Sequence, residues 1–323
     1  MMKLGDTGLT IPSFALGTWA MGGGESWGPS DDDLSIKTIH RSLEMGLNFI
    51  DTAPAYGNGA SELLLGNALK GRRDRCVLAT KCGLIWGDND AGAVHKSRDG
   101  VTVRRNLSKR SIIEQTEESL RRLQTDYIDL LLSHWPSIEP FNTPIEETVE
   151  AFELLKQQGK IRAYGACNLS LDQLKEYERY GNPALIQQRY SLLFRESEAL
   201  ASYAADRSII FQAYSPLERG VLTGRPALGE PVVGSAKASV KWYQAEKQEA
   251  MQGLRDSLEE LATVHRCSVS ALVLAWTAAS SKTMNVLFGA RKVPHLEENA
   301  QALTLSLSES EWARINDLAK ALI

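Results

Sequence analysis

Short aliphatic and β-branched runs alternate along the chain with longer segments whose apolar residues return every third or fourth position. The first pattern is that of a buried strand, the second that of an amphipathic helix. Eight runs read as strands: residues 14–19, 48–53, 76–81, 127–134, 161–167, 184–190, 209–214 and 285–290. Helix punctuation lies between them. Ser30 stands before a predicted helix over 31–45, with Asp33 near its start and Gly46 past its end. Thr143, Pro144 and Glu146 open a helix over 145–158, closed by Gly159, with Val149, Phe152 and Leu155 on one face. Ser170 and Gln173 have the spacing of a capping box, in which each side chain accepts from the other's backbone N–H. Two more helices are predicted over 245–265 and 269–279.

A strand followed by a helix, repeated through the chain, implies parallel strands joined by right-handed crossovers. An open doubly wound sheet uses the same alternation. Eight units without a break in composition favour a closed (β/α)8 barrel, a TIM barrel spanning 1–323 as one domain. Residues 3–12, with Asp6-Thr7-Gly8 between short runs, read as a hairpin ahead of the first barrel strand. Two connections, 83–108 and 218–244, read as long loops after strands 3 and 7. Loops of such length in a compact fold usually carry function.

Composition narrows the classes. The chain has 323 residues, 43% of them hydrophobic and 24% charged, with a net charge of −4. That is the make-up of a globular protein, without the basic excess of a nucleic-acid or membrane-surface binder. The longest apolar run, Ala271 to Trp276, is far short of the roughly 20 residues a membrane span requires. No apolar signal core follows Met1. Cys76, Cys82, Cys167 and Cys267 show no Cys-x-x-Cys spacing and read as buried thiols in a cytoplasmic protein. No metal-ligand spacing is present, and the pattern is silent on oligomeric state.

In such a barrel, chemistry collects at the C-terminal ends of the strands. The second strand ends in Asp51, with Tyr56 in the loop beyond; the third ends in Lys81 and the fourth in His134. Three neighbouring strands thus bring a carboxylate, an ammonium and an imidazole to one rim beside a phenol. A cation about 4 Å from a phenol attracts its phenolate by roughly 4 kcal/mol, enough to lower its pKa by about two to three units. The expectation is a Tyr56 acidified by Lys81, with Asp51 holding the ammonium and His134 donating to a substrate oxygen. A structural Asp51–Lys81 ion pair beneath an unrelated pocket would give the same spacing.

Longer motifs then come into register. Asn48-Phe49-Ile50-Asp51-Thr52-Ala53-Pro54-Ala55-Tyr56-Gly57, followed by Ser61-Glu62, resembles the first signature of the aldo-keto reductases. Asp126 to Leu130 with His134-Trp135-Pro136, Gly159 to Arg162 with Gly165 to Asn168, and Tyr214 to Leu217 with Gly220 to Gly224 resemble later family segments in their expected order. Gly289-Ala290-Arg291 and Glu298-Asn299 resemble the adenosine end. The likeness runs from Leu16-Gly17-Thr18-Trp19 to Asn299 and is nearest the bacterial branch that includes methylglyoxal and sugar aldehyde reductases.

The resemblance implies a barrel carrying NADP, with NAD possible, that reduces a small aldehyde, ketone or sugar carbonyl to an alcohol or runs the reverse. It puts the catalytic tetrad on Asp51, Tyr56, Lys81 and His134, with Tyr56 as general acid and base. Asn168 and Gln187 would hold the carboxamide and Tyr214 would stack on the nicotinamide. Ser215, Leu217, Gly220 and Leu222 would line the pyrophosphate path, and Glu298 and Asn299 would face the adenine. Thr18, Trp19 and Gly289 complete the cofactor set. Arg291 and Lys292 would meet a 2′-phosphate, and His295 stands where a basic residue is common. Trp19, Trp86 and Trp135 are expected as substrate walls. Cys167 replaces the usual serine beside Asn168 and weakens that contact. His40 and His95 are expected to face solvent, His265 to end a helix, and Trp242 and Tyr243 to pack within their loop.

Two other functions are compatible with parts of the chain. Gly24-Glu25-Ser26-Trp27-Gly28 matches the Gly-x-Ser-x-Gly elbow of esterases, although Pro29 separates Ser26 from the helix it would open. A non-catalytic barrel that senses the cofactor would keep the cofactor residues without needing the tetrad.

Overall fold

The computed structural model describes residues 1–86, 91–98, 100–224 and 234–323. Among these residues, parallel strands close into a barrel: β1 Phe14–Gly17, β2 Phe49–Asp51, β3 Val77–Cys82, β4 Ile128–Ser133, β5 Ile161–Cys167, β6 Leu185–Arg189, β7 Ile210–Tyr214 and β8 Met284–Gly289. Each strand pairs with the next, and β8 closes on β1 through Val286 opposite Phe14 and Gly289 opposite Gly17. The closed (β/α)8 alternative is therefore the one adopted.

Side chains on a strand alternate between its two faces, and the alternation sorts this core into two layers. Ala15, Phe49, Ala79, Leu130, Leu132, Ala163, Leu185, Ile210 and Leu287 fill the barrel interior. Leu16, Ile50, Leu78, Leu131, Tyr164, Ile186, Phe211 and Phe288 face out and meet the helices. Removing each leucine, isoleucine or phenylalanine among them from water is worth about 1.5–3 kcal/mol. The hairpin of Met2–Lys3 and Thr10–Ile11 forms as predicted, and its fully buried Leu4 and Ile11 join the interior cluster at the N-terminal ends of the strands.

Local expectations held unevenly. The box of Ser170 and Gln173 caps the helix Leu171–Tyr180, each side chain accepting from the other's backbone N–H. The helix Asp32–Glu44 is capped by Asp31 rather than Ser30, its carboxylate accepting from the N–H of Leu34 at 3.0 Å. A full negative charge suits the positive end of a helix better than a hydroxyl does. The helix Ile145–Gln157 begins at Pro144 without a side-chain cap, so Thr143 plays no such part. The segment predicted over 245–265 divides into Ala245–Ala250 and Gln252–His265.

The connection after β3 is no simple loop. Leu84–Ile85, Val101–Arg105 and Ala93–Arg98 form a small antiparallel sheet over the barrel mouth. The connection after β7 contains the turn Glu218–Thr223, the short helix Ser235–Ala238 and the turn Lys241–Tyr243, with Trp242 buried as expected. Residues 87–90, 99 and 225–233 of these two connections lie outside the described residues. The terminal helix Glu309–Lys320 is tied back by reciprocal bonds: the indole N–H of Trp276 donates to the carbonyl of Trp312, and that of Trp312 to the carbonyl of Trp276, both at 3.2 Å. Among the described residues no single helix is long and apolar enough to cross a membrane.

Candidate active site

A cavity of about 510 Å³ opens at the C-terminal ends of the strands. Asp51 is the last residue of β2, Lys81 lies near the end of β3, and His134 follows β4. Tyr56 sits in the turn after β2, which packs against the turn Trp19–Gly22 after β1. That approach demands glycine: a Cβ on Gly57, whose φ is +60°, would lie 2.3 Å from the carbonyl oxygen of Gly22. Hydroxyls brace the same corner. Thr18 donates to the Asp51 carbonyl at 3.0 Å, and Ser61 to Thr18 at 2.7 Å.

The four residues expected at the rim do meet. Lys81 Nζ donates to Asp51 Oδ1 at 2.7 Å, to the Thr52 carbonyl at 2.9 Å and to Tyr56 Oη at 3.1 Å. The Tyr56 and His134 rings meet edge to face with centroids 5.8 Å apart. Asp51, Tyr56 and His134 line the cavity, while Lys81 lies fully buried behind them. Burial opposes the ammonium, yet the charge of Asp51 and its hydrogen bond hold its pKa above the usual range.

One expectation is reversed. Burial pushes Tyr56 up to about 12, against the opposing pull of Lys81 and with a further push from Asp51. Withdrawing a phenolate from water outweighs one ammonium whose charge Asp51 already offsets. The phenol is therefore a neutral donor across the ordinary pH range, not an acidified one.

The amides expected around a carboxamide are already engaged. Gln187 is 3% exposed and gives its Nε2 protons to Asp51 Oδ2 at 2.9 Å and Gln212 Oε1 at 2.6 Å. Cys167 Sγ reaches Gln187 Oε1 only at 3.6 Å, the weak contact expected of a thiol. Asn168, at φ +57°, donates to the His134 carbonyl at 2.9 Å and accepts from Tyr214 Oη at 2.7 Å. Tyr214 is thus anchored at its rim, leaving its ring toward the cavity that it lines.

Ser215, Leu217, Gly220, Gly289, Arg291, His295, Glu298 and Asn299 also line the cavity, as does Lys292. Thr18 and Leu222 do not: both are buried in the wall. Arg291 Nη1 donates to the carbonyls of Trp27 and Pro29 at 3.3 and 3.1 Å, which fixes its guanidinium at the rim. Left-handed backbone at Ser215, Glu218, Arg219 and Gly220 shapes the connecting turn, which the buried Glu218 anchors to Arg189 at 2.6 Å and Ser191 at 2.7 Å. Trp19 and Trp135 line the cavity, whereas Trp86 lies outside its lining, near the Arg122 guanidinium.

Sequence reasoning missed several wall residues. Trp27 packs edge to face on Trp19 at 5.3 Å. Arg219 lies over the Trp19 ring at 5.4 Å, and burial lowers its pKa, with Arg189 adding to the fall. His95, expected in solvent, lines the cavity instead, 5.3 Å from the Trp135 ring, and accepts at Nδ1 from Arg105 Nε at 3.1 Å. His95 stands on Ala93–Arg98, which pairs with Val101–Arg105, and the Val-Thr-Val alternation of the latter is the sequence signal of that sheet. His40 is likewise half-buried against the Ala68 carbonyl. His265 ends its helix as expected and pairs with Glu311 at 2.8 Å. Ser26, the serine of the esterase-like match, is buried and absent from the cavity lining.

Residues 13–320 match the family model described as aldo/keto reductase. The chain is 39% identical to the "NADH-specific methylglyoxal reductase" of Escherichia coli K12, across 99% of this chain and 98% of that protein. It is similar to the glycerol dehydrogenase AKR11B4 from Gluconobacter oxydans, with a TM-score of 0.88 and 32% identity over 100% of this chain and 95% of that one. An aldo/keto reductase from Klebsiella pneumoniae, solved with NADP and acetate, superposes with a TM-score of 0.71 at 28% identity over 96% of this chain and 92% of that one.

Proposed function

Because the chain belongs to the aldo/keto reductase family, and so to the nicotinamide-dependent oxidoreductases that interconvert carbonyls and alcohols, we propose that Tyr56 is its proton donor and acceptor, tuned by Lys81, Asp51 and His134. The observation that carries this reading is the Lys81 ammonium, bridging Asp51 at 2.7 Å and Tyr56 at 3.1 Å behind the cavity wall.

A nicotinamide cofactor held in this cavity would supply the hydride chemistry in either direction. The chain handles the proton. Tyr56, held neutral by burial, gives its proton to the carbonyl oxygen as negative charge grows there. The phenolate left behind meets an ammonium already within hydrogen-bond distance, so no solvent must reorganise. Asp51 keeps that ammonium charged and aimed. His134, beside the phenol ring, supplies a second donor for the same oxygen. In oxidation the phenolate takes the alcohol proton. Tyr56→Phe tests this: loss of methylglyoxal-dependent NADPH oxidation with retained NADPH binding supports it, and near-normal turnover refutes it.

The cavity suits the cofactor along its whole length. Tyr214 offers a ring face at the catalytic end, and Arg291, Lys292 and His295 offer donors at the other, with Glu298 and Asn299 alongside. Asn168 and Gln187 would contact the carboxamide, and Ser215, Leu217 and Gly220 the pyrophosphate. NADP(H) is the preferred form on this reading, since Arg291 and Lys292 match a 2′-phosphate. NADH is the second reading, favoured by the printed name of the Escherichia coli relative. A kcat/KM for NADH above that for NADPH would establish the second.

Trp19, Trp27, Trp135, Leu84 and Val103 wall the substrate end, so small carbonyls such as methylglyoxal or short sugars are the substrates proposed. Assays of such carbonyls, and of glycerol in oxidation, identify the class. Neither hydrolysis by Ser26 nor cofactor sensing without catalysis is favoured, given a buried Ser26 and an assembled tetrad. One barrel domain acting in the cytoplasm completes the proposal, consistent with four unpaired cysteines.

A further inference from the structure

Behind the catalytic group, the barrel interior contains polar side chains where apolar ones would be ordinary. Gln187 on β6, Gln212 on β7 and Asn285 on β8 are register neighbours on consecutive strands. They are 3%, 0% and 0% exposed. Gln187 Nε2 donates to Asp51 Oδ2 at 2.9 Å and to Gln212 Oε1 at 2.6 Å. Gln212 Nε2 donates to Asn285 Oδ1 at 2.6 Å, and Asn285 Nδ2 to the carbonyl of Pro12 at 2.8 Å.

The ends of this string accept only. A carboxylate stands at one end and a backbone carbonyl at the other. Every amide between them is therefore fixed in direction. Asn285 must turn its NH₂ to Pro12, which turns its oxygen to Gln212, which in turn leaves Gln187 to donate on both sides. Reversing any one amide sets oxygen against oxygen among side chains at most 3% exposed, a penalty several times that of a surface hydrogen bond.

We propose that Gln212 and Asn285 are positioning residues for the reduction, acting through Gln187 to lock the second oxygen of Asp51 and so the aim of Lys81 at Tyr56. The inference rests on the catalytic reading above and extends it to two residues that do not touch the reacting atoms. The titratable groups facing the string are Asp51, Lys81, Tyr56 and Cys167, with His134 beyond Tyr56; burial pushes the Cys167 thiol up, so it stays neutral.

The test is reduction of 4-nitrobenzaldehyde by NADPH, measured from pH 6 to 9 for wild type, Gln212→Leu, Gln212→Glu and Tyr56→Phe, with melting temperatures alongside. Gln212→Leu frees Gln187 to rotate and should lower kcat about tenfold, with KM for the aldehyde within about twofold. In Gln212→Glu the neutral carboxyl still accepts from Gln187 and donates to Asn285. Its kcat should return toward wild type at pH 6 and fall as the new carboxyl ionises.

A folded Gln212→Leu with kcat within about twofold of wild type overturns the inference, whatever its melting temperature. Should that variant fail to fold, Gln212→Glu decides: a kcat that falls with rising pH supports positioning, and a profile superimposable on wild type overturns it. Activity retained in Tyr56→Phe would instead remove the catalytic reading and leave the string without a role.

Discussion

The two ends of the cavity are built differently. At the catalytic end, Asp51, Lys81 and His134 come from the tips of adjacent strands, and Lys81 and Asp51 are 0% and 1% exposed. Strand register fixes their spacing before any side chain chooses a rotamer. At the end proposed for the pyrophosphate and adenosine, Ser215, Gly220, Arg291 and His295 come from connecting turns and the start of a helix, and Ser215 and Gly220 have φ near +56° and +108°. Their placement depends on anchors such as Arg291 on the carbonyls of Trp27 and Pro29. On the proposed reading, the contrast teaches that the proton-handling group is set by the scaffold, while cofactor choice would fall to segments that can vary around it.

Substitutions at the two ends should separate cleanly if that contrast is right. The largest effect is expected from Lys81→Met, which leaves the Asp51 carboxylate buried without its ion-pair partner and Tyr56 without the cation that steadies its phenolate. Turnover should fall about 10²–10⁴-fold with cofactor affinity nearly unchanged, as steady-state kinetics and NADPH fluorescence titration would record. Thermal or urea unfolding should show a loss of about 3–5 kcal/mol, the usual consequence of breaking a buried pair. Cofactor affinity falling as far as turnover would blur the division between the ends.

Arg291→Ala comes next. It removes a fixed donor at the far end and should raise KM for NADPH about tenfold with kcat within about twofold, since each charge-assisted bond is worth about 1.5–3 kcal/mol. A drop in kcat instead would break the comparison. His95→Ala should act more weakly, raising carbonyl KM several-fold and leaving both cofactor constants alone, because His95 touches the substrate wall through Trp135.

The smallest expected effect lies outside the cavity. Ser308 and His265 hold Glu311 down to about 2, so this carboxylate contributes stability above the ordinary carboxylate pKa and loses it as pH falls toward 2. Glu311→Gln should flatten acid unfolding across that window and leave activity at pH 7 intact, as melting curves between pH 5 and 2 would show.

The same division explains what the chain disclosed. The barrel was legible because each strand is a short apolar run and the helices around it carry periodic apolar faces. The meeting of Asp51, Tyr56, Lys81 and His134 was legible because polar residues at the ends of apolar strands stand out. The acid strength of Tyr56 was misjudged, since adding up charges from the sequence omits the desolvation that only a folded environment imposes. Gln212 and Asn285 were overlooked although each interrupts an inward-facing apolar register. His95 was misplaced because its strand sits in an insertion whose pairing partners are distant from the barrel pattern. Ser30 lost the cap to Asp31 by one residue, a choice that neighbouring oxygens settle locally.

The hairpin beneath the barrel has one more consequence. Leu4 and Ile11 extend downward an interior already filled by Phe49, Leu130, Leu132 and Leu185. The barrel is therefore solid beneath the cavity, and the residues that meet its floor rest on a packed column rather than on solvent.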